Sequence, residues 1–233
     1  MQKKVLIGLS GEAGSGKDFG AALMAELLGG EVISFAKPVY ELSAIMFSTT
    51  VDELARRSTK ESYSWFSITQ RSLIEAADYL AELVRQLGID CDHIYAIQDF
   101  IFTELEPFEE PISHFVEDTI AVYRISPRKI LELIGTELGR KRVTTGIWSD
   151  LVKNKFTSSE HSIIITDVRF PNEHELVKSS GGYRFEIVAP GNPNAIKSTH
   201  ESANHKLPSD LVIINTYDGG FKANIEKALE ETH

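Results

Sequence analysis

The sequence predicts an α/β protein in which a parallel β-sheet is buried between two layers of helices. Three observations predict it. Five short runs, Val5–Leu9, Val32–Phe35, Ser162–Thr166, Arg184–Val188 and Leu211–Ile214, are rich in β-branched residues and apolar almost throughout. Strands buried on both faces read this way, whereas a half-wet sheet alternates. Segments with helical spacing separate most of the runs, and strand–helix–strand order builds a parallel sheet through right-handed crossovers. The first run passes straight into a glycine-rich turn and then a helix, from about Lys17 to Leu28. Open sheets of this kind bind ligands outside the carboxyl ends of their strands.

The turn after the first strand carries the strongest chemical signal. Gly11-Glu12-Ala13-Gly14-Ser15-Gly16-Lys17-Asp18 has the spacing G-x-x-x-x-G-K, with Asp in place of the usual Ser or Thr. Glycines let a backbone wrap around phosphates and aim several N–H groups at them. The helix N-terminus adds partial positive charge, and Lys17 is placed to reach the β- and γ-phosphates. Gly11, Gly14, Ser15, Gly16, Lys17 and Asp18 are therefore the expected triphosphate-binding residues. A glycine-rich turn with no ligand is the bland alternative, but the full spacing in the first strand–turn–helix unit favours phosphate. Asp18 is a candidate Mg²⁺ ligand, directly or through water, because Mg²⁺ takes oxygen ligands and keeps several waters.

The second strand ends in Ser34-Phe35-Ala36-Lys37-Pro38. Pro38 suits a helix start, which puts Lys37 at a strand's carboxyl end, fit to bind an acceptor phosphate. A lysine at a helix start is mildly disfavoured by the dipole, so its presence there favours function. Residues from about 48 to 125 show helical periodicity, many acids and few strand signals. They are expected to be a helical insertion on the substrate side of a single domain spanning 1–233. Within it, Ser72–Leu87 places Leu73, Ala76, Ala77, Leu80, Leu83, Val84 and Leu87 on one helical face. Thr103–Pro111 reads as an acidic turn or loop.

Ser126-Pro127-Arg128 opens a helix expected to run to about Lys141, with Ser126 as its cap. At 100° per residue, Ile130, Leu131, Leu133, Ile134 and Leu138 form an apolar arc. Arg128, Glu132, Gly135, Thr136 and Gly139 form the opposite stripe. Two glycines there cost helix stability, about 1 kcal/mol each relative to Ala, which makes sense if something must approach closely. Arg140 and Arg142 follow. The third strand ends in Asp167-Val168-Arg169-Phe170-Pro171-Asn172-Glu173. An acid ending a buried apolar strand suits Mg²⁺ or its water shell, and Arg169 can clamp a phosphate with two parallel hydrogen bonds. Past the fourth strand, residues 190 to 206 are a turn-rich segment that could cover the nucleotide. A final helix presents Phe221, Ile225, Ala228 and Leu229 to the sheet.

Bulk properties narrow the partners. The 233 residues are 42% hydrophobic and 25% charged, the balance of a globular protein. A net charge of −10 argues against a polynucleotide partner, which needs a basic surface, yet permits a small phosphorylated one. No apolar run reaches the ~20 residues of a membrane span. The stretch after the basic Met1-Gln2-Lys3-Lys4 is too short for a signal peptide. Cys91 stands alone, which suits a reducing cytoplasm.

Taken together, LIGLSGEAGSGKD, SFAKP, SPRKILELIGTELGR with the nearby Trp148, ITDVRFPNE and HES resemble the phage-type deoxynucleoside monophosphate kinases. The pieces fall in the family's order over nearly the whole chain, with residues 48 to 125 covered least. GTELGR and DVRFPNE are the most specific of them. The resemblance implies a three-layer P-loop kinase fold and ATP- and Mg²⁺-dependent phosphorylation of a deoxynucleoside monophosphate to its diphosphate. It also implies a possible homodimer in an infected bacterial cytoplasm. Carried over residue by residue, Gly14, Gly16, Lys17 and Asp18 bind ATP. Lys37, Arg128, Gly135, Thr136, Trp148, Asp167 and Arg169 surround the acceptor nucleotide. Asp18 belongs to the family pattern. Ala13 stands where a basic residue is common, and Glu132 where glutamine is common.

Several roles follow as expectations. Lys17, Arg128, Asp167 and Arg169 carry catalysis, and Asp18 and Asp167 hold the metal. Lys37, Arg128, Glu132, Gly135, Thr136, Arg140, Trp148, Asp167 and Arg169 bind the acceptor. Two other readings stay open at this point: a P-loop kinase for another small metabolite, and a non-catalytic ATP-binding regulatory protein. Cations at strand ends and helix starts argue against the second, since an ATP sensor needs no further anion site.

Overall fold

The computed structural model describes residues 4–111, 118–190, 192 and 207–232. In chain order the elements begin β1 (Leu6–Ser10), α1 (Lys17–Leu28), β2 (Glu31–Ile33), α2 (Lys37–Met46), α3 (Val51–Ala55), β3 (Ser64–Thr69), α4 (Gln70–Leu87) and α5 (His93–Phe100). They continue β4 (Thr119–Ile125), α6 (Pro127–Glu132), α7 (Ile147–Ser158), β5 (Ile163–Ile165), α8 (Pro171–Ser179), β6 (Tyr183–Val188), β7 (Leu211–Ile214) and α9 (Phe221–Glu230). Wider, π-type turns extend α5 over Ile101–Leu105 and α6 over Leu133–Val143. The chain forms two compact units, Met1–Phe35 with Val152–His233, and Ala36–Leu151.

The first unit is built on a five-stranded parallel sheet in the order β2-β5-β1-β6-β7. All five expected runs are its strands. β1 is central and buried along its whole length. On one face Ile7, Leu9, Phe185, Ile187 and Ile213 pack against Ala21 and Met24 of α1 and Phe221, Ile225 and Leu229 of α9. On the other, Leu6, Ile163 and Ile165 meet Val152, Val168, Leu176 and Val177. Gly8 lies on this second face, where a Cβ would stand 2.7 Å from Val168 Cγ2, so only glycine lets this layer close. The chain leaves β1 toward β2 on one side and later crosses to β6 on the other. The switch point of the sheet therefore lies at the carboxyl end of β1, where the glycine-rich loop begins.

α8 is tied to the sheet by charge as well as packing. Lys178 Nζ donates to Asp210 Oδ1 at 2.7 Å and Oδ2 at 2.9 Å. One turn earlier, His174 Nδ1 is buried with no hydrogen-bond partner among the described residues. Burial first, then the positive charges of Arg184 and Lys178, hold this imidazole's pKa below its ordinary value, with Asp210 and Glu175 opposing. A histidine depressed in the folded state favours folding fully above its unfolded pKa, about 6.5, and loses that contribution as pH falls below it. Thermal melts of His174→Gln and wild type should therefore diverge: between about pH 6.5 and 5 the wild type loses more of its midpoint. Parallel curves through that window would remove His174 from the balance.

The second unit packs α4 and α5 around Phe47, Phe66, Tyr123, Leu138 and Trp148. Phe47 meets the edges of Phe66 and Tyr123 at centroid distances of 6.3 and 5.9 Å. The predicted face of α4 is inside: Ala76, Ala77, Leu80, Leu83 and Val84 are buried. Thr69 caps this helix and exchanges hydrogen bonds with Ser72. The stretch expected to be helical also contains an antiparallel pair, β3 with β4, in which Phe66 faces Tyr123 and Ile68 faces Ala121. Its signal was short alternation: Phe66 and Ile68 turn inward while Trp65 is exposed. The acidic Thr103–Pro111 stretch is not all loop, since it includes the end of the π-type turn and a short 3₁₀ turn, Glu106–Phe108.

Candidate active site

The phosphate loop runs from Gly11 to Lys17 and opens α1. Gly11, Gly14 and Gly16 have φ of 144°, 78° and 97°, in the region that favours glycine. Space reinforces the choice. A Cβ on Gly11 would run into the Ile187 carbonyl, and one on Gly16 would lie 2.5 Å from Asn215 Nδ2. The loop is pinned from outside at three carbonyls. Asn192 Nδ2 donates to Ala13 O at 3.0 Å, Asn215 Nδ2 to Ser15 O at 3.0 Å, and the Tyr217 hydroxyl to Gly14 O. With carbonyls held outward, the loop's N–H groups are left to face a ligand. Lys17 Nζ donates to Gly11 O at 2.9 Å and Glu12 O at 2.7 Å, which holds the ammonium against the loop. Asp18 follows on the first turn of α1 and is exposed.

At the end of β5, Asp167 Oδ2 accepts from Ser34 Oγ at 2.7 Å and Oδ1 from Phe35 N at 2.9 Å. It thereby fastens the chain leaving β2. Glu173, 3% exposed, turns its Oε2 back to the N–H groups of Arg169 at 2.7 Å and Phe170 at 3.0 Å. The two acids lock the turn between them. Arg169 is left exposed, and its side chain has no partner among the described residues.

The donor set fits Mg²⁺. Asp18 offers an exposed carboxylate, and Asp167 offers a second one, oriented by Ser34 and Phe35. Mg²⁺ in phosphate sites needs only one or two carboxylates, with phosphates and waters completing its shell.

In the second unit, Lys37 starts α2 and its Nζ lies 3.8 Å from Glu41 Oε1. Glu41 Oε2 accepts from the Tyr79 hydroxyl at 2.7 Å. Burial, then this carboxylate, pushes the Tyr79 phenol's pKa up, so it stays a donor. Arg128 sits on the first turn of α6, behind the Ser126 cap. Its Nε pairs with Glu61, and its N–H donates to Lys60 O at 2.9 Å. Lys60 in turn donates to the Tyr40 hydroxyl and stands 5.1 Å from that ring's centroid. Tyr40 is one helical turn from Lys37, so Lys37, Lys60 and Arg128 are linked neighbours. Glu132 Oε2 lies 4.0 Å from Lys129 Nζ, and Thr136 and Arg140 are half-buried.

The α6 extension departs from the expected stripe. Ile134 and Leu138 of the expected apolar arc are buried, but in this π-type winding Gly139 of the opposite stripe is buried as well. Gly139 is buried against Trp148, and a Cβ there would penetrate the indole. The protein itself explains that glycine. Trp148, 3% exposed, donates Nε1–H to Gly135 O at 2.8 Å and so braces the helix from inside. Gly135 remains half-open, since a Cβ would meet only Val39, at an ordinary 3.5 Å. The two positions should part on mutation. Gly139→Ala should lower stability by about 1–3 kcal/mol through overpacking. Gly135→Ala should melt at or above the wild-type temperature while raising the acceptor KM. Unchanged acceptor KM in Gly135→Ala would show that nothing approaches there.

Sequence reasoning missed Asn215, Tyr217, Lys60 and Tyr40. Asn215 directly follows a strand's carboxyl end, which was its available signal. Tyr217 has a positive φ, 57°, and Lys60 lies in an irregular stretch; neither feature shows in a pattern of types. Arg142 is a structural clamp, with Nε 2.7 Å from Asp99 Oδ2 and Nη2 3.0 Å from Glu104 Oε1. The HES segment and most of residues 190–206 lie outside the described residues.

A glycine-lined loop at the carboxyl end of a central parallel strand, with a lysine held at its mouth, defines a P-loop nucleotide-binding protein. Residues 5–222 match the deoxynucleotide monophosphate kinase family model, and the chain belongs to that family. It is 36% identical to the deoxynucleoside-5'-monophosphate kinase of Escherichia phage T5, over 92% of this chain and 91% of that protein. A protein of Acanthamoeba polyphaga mimivirus is 26% identical over 91% of this chain and 88% of its own. The crystal structure of TT1252 from Thermus thermophilus aligns over 99% of this chain and 96% of its own, at 14% identity and a TM-score of 0.39, too low to bear on function. The chain is thus an enzyme that phosphorylates deoxynucleoside monophosphates, with ATP as the donor that the kinase family implies.

Proposed function

We propose a division of labour among the named residues. Gly11, Gly14, Ser15, Gly16 and Lys17 hold the ATP phosphates, and Asp18 and Asp167 hold Mg²⁺. Lys37, Arg128, Glu132, Gly135, Thr136 and Arg140 bind the acceptor nucleotide, Lys60 joins them, and Trp148 supports them from behind. Arg169 contacts the transferring phosphoryl group. The observation that carries this reading is the phosphate loop: three glycines in left-handed backbone, three carbonyls tied outward, and Lys17 bonded at its mouth.

The acceptor is a 5'-phosphate with a second pKa near 6, so at neutral pH it is mostly a dianion. It is already a nucleophile and needs no general base. Catalysis consists of bringing two polyanions together and neutralising the charge that spreads over the transferring group. Arginines and lysines supply that, and bound Mg²⁺ adds charge neutralisation on the phosphates. A coupled assay of ADP release across all deoxy- and ribonucleoside monophosphates tests the reading. The expected result is turnover with one or more deoxynucleotides. ADP release that no monophosphate stimulates would overturn it. The proposal extends to a homodimer in the host cytoplasm, and light scattering in solution reads the mass directly.

A further inference from the structure

Arg184 lies inside β6, opposite Gly8 of β1, and is 5% exposed. Burying a guanidinium costs free energy that an apolar side chain of similar size avoids, so packing alone does not explain it. Burial pulls its pKa below the ordinary value, with Glu186 and Asp210 opposing. Its bonds show where it acts. Nη2 donates to Ser10 Oγ at 2.6 Å, and Nη1 donates to Leu207 O at 2.6 Å. Its backbone N–H donates to Asp210 Oδ2 at 2.7 Å. Nε is buried without a partner among the described residues.

Ser10 is the last residue of β1, and the phosphate loop starts at the next position. Its hydroxyl is fixed from both sides, accepting from Arg184 and donating to Phe185 O at 3.4 Å. β6 also forms the floor of the loop, because the Ile187 carbonyl fills the space beside Gly11. The direction in which the chain leaves β1 is therefore set by β6, and Arg184 supplies the charged contact that sets it. We propose that Arg184 is a positioning residue for the phosphate loop: acting through Ser10, it aims the loop's N–H groups at the ATP phosphates without touching the nucleotide. This rests on the loop's role in ATP binding.

The test compares Ser10→Ala, Arg184→Met, Arg184→Lys and the Ser10→Ala/Arg184→Met double variant in the full chain. KM for ATP, KM for the deoxynucleotide acceptor, kcat and thermal midpoint are read for each. Loss of one charge-assisted hydrogen bond should raise ATP KM about tenfold in Ser10→Ala, with acceptor KM within about twofold. Arg184→Met should match that rise, and the double variant should raise ATP KM no further than either single one, because both remove the same Ser10–Arg184 hydrogen bond. Arg184→Lys, which keeps a donor, should recover part of the affinity. A lower midpoint with unchanged ATP KM, or equal rises in both KM values, would make Arg184 merely structural. If Arg184→Met does not fold, Ser10→Ala decides. Failure of the underlying reading looks different: Lys17→Met would then also leave ATP KM unchanged.

Discussion

Arg169→Ala is expected to fold like the wild type and to lose about 10³–10⁵ in kcat. The first half follows from what the side chain does not do in the described structure. It is exposed and has no partner there, and such surface changes usually stay within about ±0.5 kcal/mol. The second half follows from how firmly its backbone is held. Asp167 is anchored to Ser34 and Phe35 on one side, and buried Glu173 takes the N–H groups of Arg169 and Phe170 on the other. A turn built this rigidly around one unengaged guanidinium is preorganised to present it. An arginine fork meets two phosphoryl oxygens at once, so Arg169→Lys should recover only part of the loss. The check is kcat and both KM values by coupled assay beside a thermal melt. Near-normal kcat and KM in Arg169→Ala would take Arg169 out of the reaction.

The first unit was largely legible because its signals are local and its elements pure. Runs such as Ile163–Ile165 can only be buried on both faces, and they are. Glycines in the phosphate loop answer constraints a few residues away. The second unit was less legible because its constraints come from distant residues. Phe66 and Ile68 alternate over a strand of only six residues, too short to stand out beside the long periodic α4. Gly139 looked like an invitation to substrate, yet its reason is Trp148, nine positions on and brought back by the fold. The projection that misled there assumed an α-helix, and nothing local announces π-type winding. Asn215 and Tyr217, which hold the loop's carbonyls, lie some 200 residues from it in sequence. Candidate site residues were legible where a residue type alone suggests the chemistry, as with Lys17, and hidden where one residue works by placing another.

Lys17→Met is expected to lower kcat by about 10²–10³ and to weaken ATP binding, with the loop keeping its shape. Met has nearly the length of Lys and lacks its charge. The hydrogen bonds lost include those from Nζ to Gly11 O and Glu12 O, both on the exposed side of the loop, where water replaces the donor. The bonds that set the loop's path, from Asn192, Asn215 and Tyr217, do not involve Lys17 and remain. The variant therefore removes charge while the cradle of N–H groups stays. Charge matters most in the transition state, where negative charge spreads over the transferring group, so kcat should fall further than ATP affinity. Lys17→Arg should not rescue it, because a planar fork does not replace a compact ammonium in a loop with carbonyls on both sides. A Lys17→Met enzyme with kcat and ATP KM within about twofold of wild type would mean that the loop holds no triphosphate.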